Sequence, residues 1–187
     1  MFKLLHFIVP GVEFLPTENN PRHFKAIIDG PEDPDSPYHG GKFLIEMFAK
    51  DYPEKAPLTF FRNPIYHPNM NTKGQICMST LKPYNPEKKI GWKKEEGLRS
   101  VLLGLQTLLQ MPCEFLDDPL DTHICAHFTN DRVDAFKKAR EWTRLYASAD
   151  VPYTKVAKIE QLATSIYDHW NNSASPAQRQ KAAEDLA

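Results

Sequence analysis

The order of the apolar patterns constrains this chain most. Short β-rich runs come first, and helical stripes appear only after them. Val12–Leu15 reads as a first strand, and residues 16–21, rich in Pro and Asn, read as its turn. Phe24–Ile28 is a second run. Gly30 to Gly41 is a loop studded with Pro and Asp. Lys42–Phe48 alternates polar with apolar residues, as a half-buried strand does. Tyr52 to Pro57 is a proline turn, and Leu58–Phe61 is the fourth run. Strands in immediate succession with short connections pair as an antiparallel meander.

After Cys77 the period changes. Residues 81–91 are polar, with Pro83, Pro86 and three lysines, and read as a loop. Leu98, Val101, Leu102, Leu105, Leu108 and Leu109 then recur at helical spacing, and Pro112 closes that helix. Thr122–Phe128 reads as a short helix. Asp131–Ala147 reads as a longer one, with Val133, Phe136, Ala139, Thr143 and Tyr146 on its packed face. Sheet first and helices after is an α+β layout. Beyond a small polar linker, Val156, Ile159, Leu162, Ala163, Ile166 and Trp170 form another stripe, and Ser175-Pro176-Ala177-Gln178 resembles a helix start. The expected organisation is a core of residues 1–147 and a two-helix extension of residues 148–187, which packs on the core or meets a partner.

Charge and cysteine usage narrow the function. A net charge of -1 gives no field for gripping nucleic acid or an anionic membrane. Cys77, Cys113 and Cys125 make no disulfide framework, and free thiols suit a reducing cytosol or nucleus. Met1 to Val9 is apolar but too short to span a bilayer. His123, Cys125 and His127 look like a metal cluster. On a helix, however, Cys125 points away from the two histidines, and no fourth ligand is spaced for zinc.

The stretch richest in chemistry is Ile65-Tyr66-His67-Pro68-Asn69, followed by Gly74-Gln75-Ile76-Cys77, with the cysteine ten residues after His67. Read alone, it is a loop with either a nucleophile or a small buried thiol. No Asp or Glu lies between His67 and Cys77, so no Cys-His-Asp triad is readable there. Around it lie Gly30-Pro31, residues 36–43 (Ser-Pro-Tyr-His-Gly-Gly-Lys-Phe), residues 51–57 (Asp-Tyr-Pro-Glu-Lys-Ala-Pro), Trp92, Leu102-Leu103-Gly104-Leu105, Asp117-Asp118-Pro119-Leu120 and Asn130-Asp131-Arg132. This ordered set, from about Pro10 to Tyr146, resembles the catalytic core of the ubiquitin-conjugating (E2) enzymes.

The resemblance implies a UBC fold and a two-step acyl transfer. Cys77 would accept ubiquitin from an activating enzyme (E1) as a thioester and pass it to a substrate lysine, with or without an E3 ligase. ATP is used upstream, so no cofactor is expected. Asn69 corresponds to the family's oxyanion donor, a role worth about 2.7–4 kcal/mol for one such donor, although a purely bracing Asn fits equally. His67 corresponds to a structural histidine, not a base, and Pro68 fixes the bend. Asp118 falls where the family places an acid that orients the incoming lysine; a helix cap or a solvated turn is the alternative. Ser79 occupies the position where lysine-reactive members carry Asp or Ser. Members restricted to cysteine acceptors carry Pro and His at the positions of Ser79 and Asp118, so direct transfer to lysine is expected.

The chain also departs from the pattern. Its opening helix is short, with Lys3 as the one fixed cation before Pro10. Glu54 stands where many members use Phe to contact RING ligases, and Lys93-Lys94-Glu95 replaces the Ser-Pro-Ala that follows the tryptophan. Charge at both places points away from standard RING or HECT partners and toward a charged, specialised E3 or E3-independent action. Two other readings stand beside this one: an E2 for a modifier of SUMO or NEDD8 type, and a catalytically idle E2-like binding module.

Overall fold

The computed structural model describes residues 9–15, 17, 20–114, 116 and 118–149. The expected N-terminal segment before Val9 and the two-helix extension lie outside the described residues. Strands β1 (Val12–Leu15), β2 (His23–Asp29), β3 (Lys42–Phe48) and β4 (Leu58–Phe61) form one antiparallel sheet in the order β1-β2-β3-β4. Helices α1 (Gly97–Gln110), α2 (Thr122–Asn130) and α3 (Arg132–Tyr146) follow. The meander and the order of sheet then helices are as the sequence implied.

Register sets the inner face. Phe14 pairs with Ala26, Ala26 with Ile45 and Ile45 with Phe61, so one row of side chains crosses all four strands. Ile28, Phe43, Ile45, Met47 and Phe61 join one core with Val101, Leu102, Leu105, Leu108 and Leu109 of α1, and with Ala135, Ala139, Trp142 and Tyr146 of α3. Burying each large apolar side chain stabilises the fold by about 1.5–3 kcal/mol.

Two expectations about faces need correction. In β3 the expected alternation fails: Phe43 through Met47 are all buried, including Leu44 and Glu46 on the outer face. β3 lies between β2 and β4, and Glu46 is covered by charge partners. His23 Nε2 lies 2.6 Å from its Oε1, Arg62 Nε donates to its Oε2 at 2.6 Å, and Lys25 Nζ stands 3.6 Å away. Burial alone would raise the Glu46 carboxyl, but these hydrogen bonds and charges outweigh it and hold the group below its ordinary value. In α3, Val133 is 83% exposed, whereas Ala135 and Trp142 are buried. Ala135, two residues on, is fully buried, so Val133 lies off the buried face, which runs through Ala135, Ala139, Trp142 and Tyr146.

Candidate active site

The loop between β4 and the cysteine is held by groups that have no other use. α1 ends at Gln110, so its last carbonyls lack intrahelical donors. The donor for Leu108 would be residue 112, but that residue is Pro112, which has no N–H. His67 takes its place, its Nε2 donating to the Leu108 carbonyl at 3.0 Å. His67 Nδ1 then accepts from the Asn69 N–H at 3.0 Å, which fixes the neutral Nε2–H tautomer. The ring is fully buried, and that burial pushes its pKa down to about 4, against the upward pull of the Leu108 bond. The imidazole is neutral and engaged at both ring nitrogens.

The rest of the loop is tied with similar care. Tyr38 donates its hydroxyl to the Tyr66 carbonyl at 2.8 Å. The Pro68 carbonyl accepts from Leu120 N–H at 2.9 Å and Asp121 N–H at 3.0 Å. The chain turns back at Gly74, whose φ is +72° and whose Cβ would stand 1.9 Å from the Phe61 carbonyl oxygen. Only glycine fits that approach. Met70 then bridges to Ile76, and the Cys77 N–H donates to the Asn69 carbonyl at 2.8 Å.

These bonds bring the expected residues together. Cys77, Asn69, Ser79 and Asp118 line one cleft of about 300 Å³, with Thr107 and Leu108 of α1 behind them. His67 does not line it, but bonds the carbonyl of Leu108, which does. Asn69 is buried and donates Nδ2 to the Asp118 carbonyl at 3.2 Å. Gly104 of α1 lets the Cys77 segment approach, because a Cβ there would meet Met78 Sδ at 2.7 Å. Asp118 is not the cap of α2: that role belongs to Asp121, which accepts from the N–H groups of His123 and Ile124. The Asp118 carboxylate is exposed and points to the cleft rim.

Lys82, which sequence reasoning passed over as one of three loop lysines, enters the same site. Its Nζ donates to Asp118 Oδ2 and pairs with it. Cys77 is half-buried, and burial pushes its thiol up. The Lys82 ammonium acts against that push and Asp118 adds to it, and the thiol stays above its ordinary value. The same pairing holds Asp118 below the ordinary carboxylate range and Lys82 above its own usual value.

Among the described residues no group of three or more His, Cys, Asp or Glu side chains is placed to hold a metal. His127 is engaged otherwise: Tyr66 Oη lies 2.8 Å from its Nδ1 and Asp134 Oδ2 3.3 Å from its Nε2. Burial, with the charges of Asp121 and Asp134, pushes Tyr66 up to about 12. Cys125 Sγ faces the Leu116 carbonyl at 3.5 Å, and Cys113 packs against the core. No described helix is long and apolar enough to cross a membrane.

Comparison with known proteins gives a consistent picture. The family model described as ubiquitin-conjugating enzyme matches residues 8–143. Ubiquitin-conjugating enzyme E2 N of Drosophila melanogaster is 39% identical over 149 residues, 79% of this chain and 91% of that protein. Ubiquitin-conjugating enzyme E2 13 of Schizosaccharomyces pombe is 41% identical over 139 residues, 74% of this chain and 86% of that one. A solved E2 domain of a Toxoplasma gondii ubiquitin conjugating enzyme superposes with a TM-score of 0.64 at 27% identity, covering 74% of this chain and 90% of that chain.

Proposed function

The chain belongs to the ubiquitin-conjugating (E2) enzyme family, and from that premise we propose that Cys77 is the sulfur that carries ubiquitin. The observation behind this reading is the meeting of Cys77, Asn69 and Asp118 on one cleft. Membership implies dealings with ubiquitin, an E1 and E3 ligases in general.

In this reading Cys77 accepts the ubiquitin C-terminus as a thioester. The Asn69 amide steadies the oxyanion formed when a lysine attacks. An amide carries two N–H groups, so bracing Asp118 and donating to the oxyanion are compatible. Asp118 orients the incoming ammonium and favours loss of its proton. Ser79, exposed at the cleft edge, leaves room for a lysine acceptor. His67 keeps the loop in shape. Residues 1–147 form the catalytic core and residues 148–187 an added helical extension. The place of action is the cytoplasm or nucleus, consistent with three free thiols.

A specialised E3 is the finer partner. Glu54 and Lys94 replace two apolar anchors, and the structure joins them: Lys94 Nζ lies 3.6 Å from Glu54 Oε1. An exposed ion pair suits a partner with matching charges better than an apolar one.

The test is a charging assay with E1, ATP and ubiquitin on non-reducing gels. A reductant-sensitive band is expected, and Cys77→Ala should abolish it. Charging that persists in Cys77→Ala would move the thioester to another cysteine and overturn the assignment.

A further inference from the structure

The Asp118 carboxylate is already engaged. Lys82 Nζ donates to its Oδ2 and forms an ion pair with it. The two residues stand 36 positions apart, yet both backbones are tied to the segments around the cysteine. On one side, the Lys82 N–H donates to the Ser79 carbonyl at 3.0 Å and closes the 3-10 turn Ser79–Leu81. The Lys82 carbonyl accepts from the N–H of the buried Trp92 at 2.8 Å. On the other side, the Asp118 carbonyl accepts from Asn69 Nδ2 at 3.2 Å, and the Pro68 carbonyl holds the N–H groups of Leu120 and Asp121. Only the two side chains remain to be ordered, which lowers the entropy cost of pairing them.

The pair is also open to exchange. The Lys82 and Asp118 side chains are 46% and 70% exposed, so another cation can reach the carboxylate from solvent. Among the described residues Lys82 alone is ion-paired with Asp118. Of the other charges nearby, Glu114 lines the cleft and Lys88 acts on Asp118 through its charge. An acceptor lysine carries the same ammonium as Lys82, so the two are equivalent ligands for one carboxylate.

We propose that the Lys82–Asp118 pair is an autoinhibitory latch on acceptor entry: Lys82 fills the place of the acceptor ammonium until an acceptor displaces it. This rests on the reading of Asp118 as the group that orients the acceptor. Free lysine must win the carboxylate by itself. A lysine held at the cleft by other contacts displaces Lys82 more readily, so the latch favours tethered acceptors. Once Lys82 is displaced, the acceptor ammonium gives one proton to water. The amine lone pair then bonds to the carbonyl carbon of the Cys77 thioester. The carbon–sulfur bond breaks, and the sulfur leaves with the electron pair and takes up a proton. The nitrogen loses its second proton to water, leaving an amide and the free thiol. Lys82 is an ammonium before and after.

The test is single-turnover discharge of the ubiquitin-charged full chain to free lysine over a concentration series. Lys82→Met keeps the aliphatic stem and removes the charge; Lys82→Arg keeps the charge. At low lysine, Lys82→Met should discharge about two- to fivefold faster than the wild type, the range that an exposed ion pair supports. Lys82→Arg should be no faster. Discharge to hydroxylamine, which is uncharged at neutral pH, should not change in Lys82→Met. Adding Asp118→Asn to Lys82→Met should erase the gain. A Lys82→Met rate equal to the wild type would overturn the latch, and so would a gain that survives Asp118→Asn, since that is general charge repulsion. Asp118→Asn alone discharging at the wild-type rate would instead remove the Asp118 reading, and the latch with it. A second measurement needs neither E1 nor ubiquitin: acetylation by acetic anhydride, read by peptide mass. Asp118→Asn should speed acetylation of Lys82 by a similar factor and leave Lys89 unchanged. An unchanged Lys82 rate would overturn the proposal whatever the charging assay of Cys77 gives.

Discussion

The two chain segments that meet at Cys77 are built on opposite principles. The loop before it, residues 66–77, is fixed by buried bonds to distant backbone: His67 to Leu108, Asn69 to Asp118, Tyr66 to Tyr38. Apart from the buried Trp92, which bonds the distant Pro53 carbonyl, the segment after it, residues 79–96, is fixed mainly by near neighbours and by exposed charges. Asn85 N–H bonds the Ile90 carbonyl at 2.7 Å, Lys93 pairs with Glu96 at 3.7 Å, and Lys82 pairs with Asp118. Losing a partner in the first leaves a buried polar group unmet; losing one in the second exposes a charge to water. The first segment should therefore resist substitution, while the second can be retuned for new partners.

The largest effect expected from this contrast is at His67. His67→Ala removes the donor for the Leu108 carbonyl and the acceptor for the Asn69 N–H, and leaves a cavity. A loss of roughly 3–5 kcal/mol follows. Urea unfolding would measure it, and a loss under about 1 kcal/mol would erase the distinction between the two segments. His67 also predicts a pH limb. The folded imidazole stays neutral down to about pH 4, against an ordinary value of 6.5. Between those values the unfolded chain binds more protons, so the His67 contribution is full above pH 6.5 and is lost as pH falls toward 4. The loss amounts to about 3 kcal/mol, and His67→Ala should lack that limb.

Asn69 tests whether the braced loop also takes part in the chemistry. Asn69→Ala should still charge, because transfer from E1 needs only the Cys77 sulfur. Its discharge to free lysine should slow by about 10²–10³-fold, the scale of one oxyanion donor. Single-turnover discharge would read this directly. If Asn69 only braces, stability should fall by about 1–2 kcal/mol while discharge slows less than about tenfold.

The same contrast explains what was legible in the sequence. β3 and β4 fall where the flanking turn residues placed them, after Gly41 and after Pro57, although the alternation expected in β3 does not appear in its burial. All six apolar residues of the α1 stripe are buried, because their helical spacing puts them on one face. α2 runs past Phe128 to Asn130, since nothing stops it before the Asp131 cap. The α3 face was misjudged at Val133 because the buried stripe is rotated from the one read: it runs through Ala135, Ala139, Trp142 and Tyr146, and small Ala135 gives little apolar signal. Cys77, Asn69 and Asp118 could be proposed from the resemblance, yet neither period nor composition brings together residues 49 positions apart, as Asn69 and Asp118 are. Lys82 was invisible. A lysine in a polar loop has no pattern, and only the turn at Ser79–Leu81 shows that it folds back. Its spacing of five from the cysteine was the one available signal.

The smallest expected effect lies at the far end of the exposed segment. Glu54 and Lys94 are 72% and 55% exposed, so their pair gains little in water. The two loops that carry them are held by Trp92 instead. That ring is buried, stands 6.0 Å from Tyr52, and donates Nε1–H to the Pro53 carbonyl at 2.8 Å. Glu54→Ala combined with Lys94→Ala should therefore change stability by less than about 0.5 kcal/mol and leave charging at the wild-type rate. Thermal unfolding of the two single variants and the double would give the coupling between them. A coupling above about 1 kcal/mol would make the pair a structural clamp and place it with the braced loop. A near-zero coupling leaves recognition of a charged partner as the use for these two residues. E3-dependent transfer, slowed in the double variant and recovered when the charges are exchanged on both proteins, would then identify that partner.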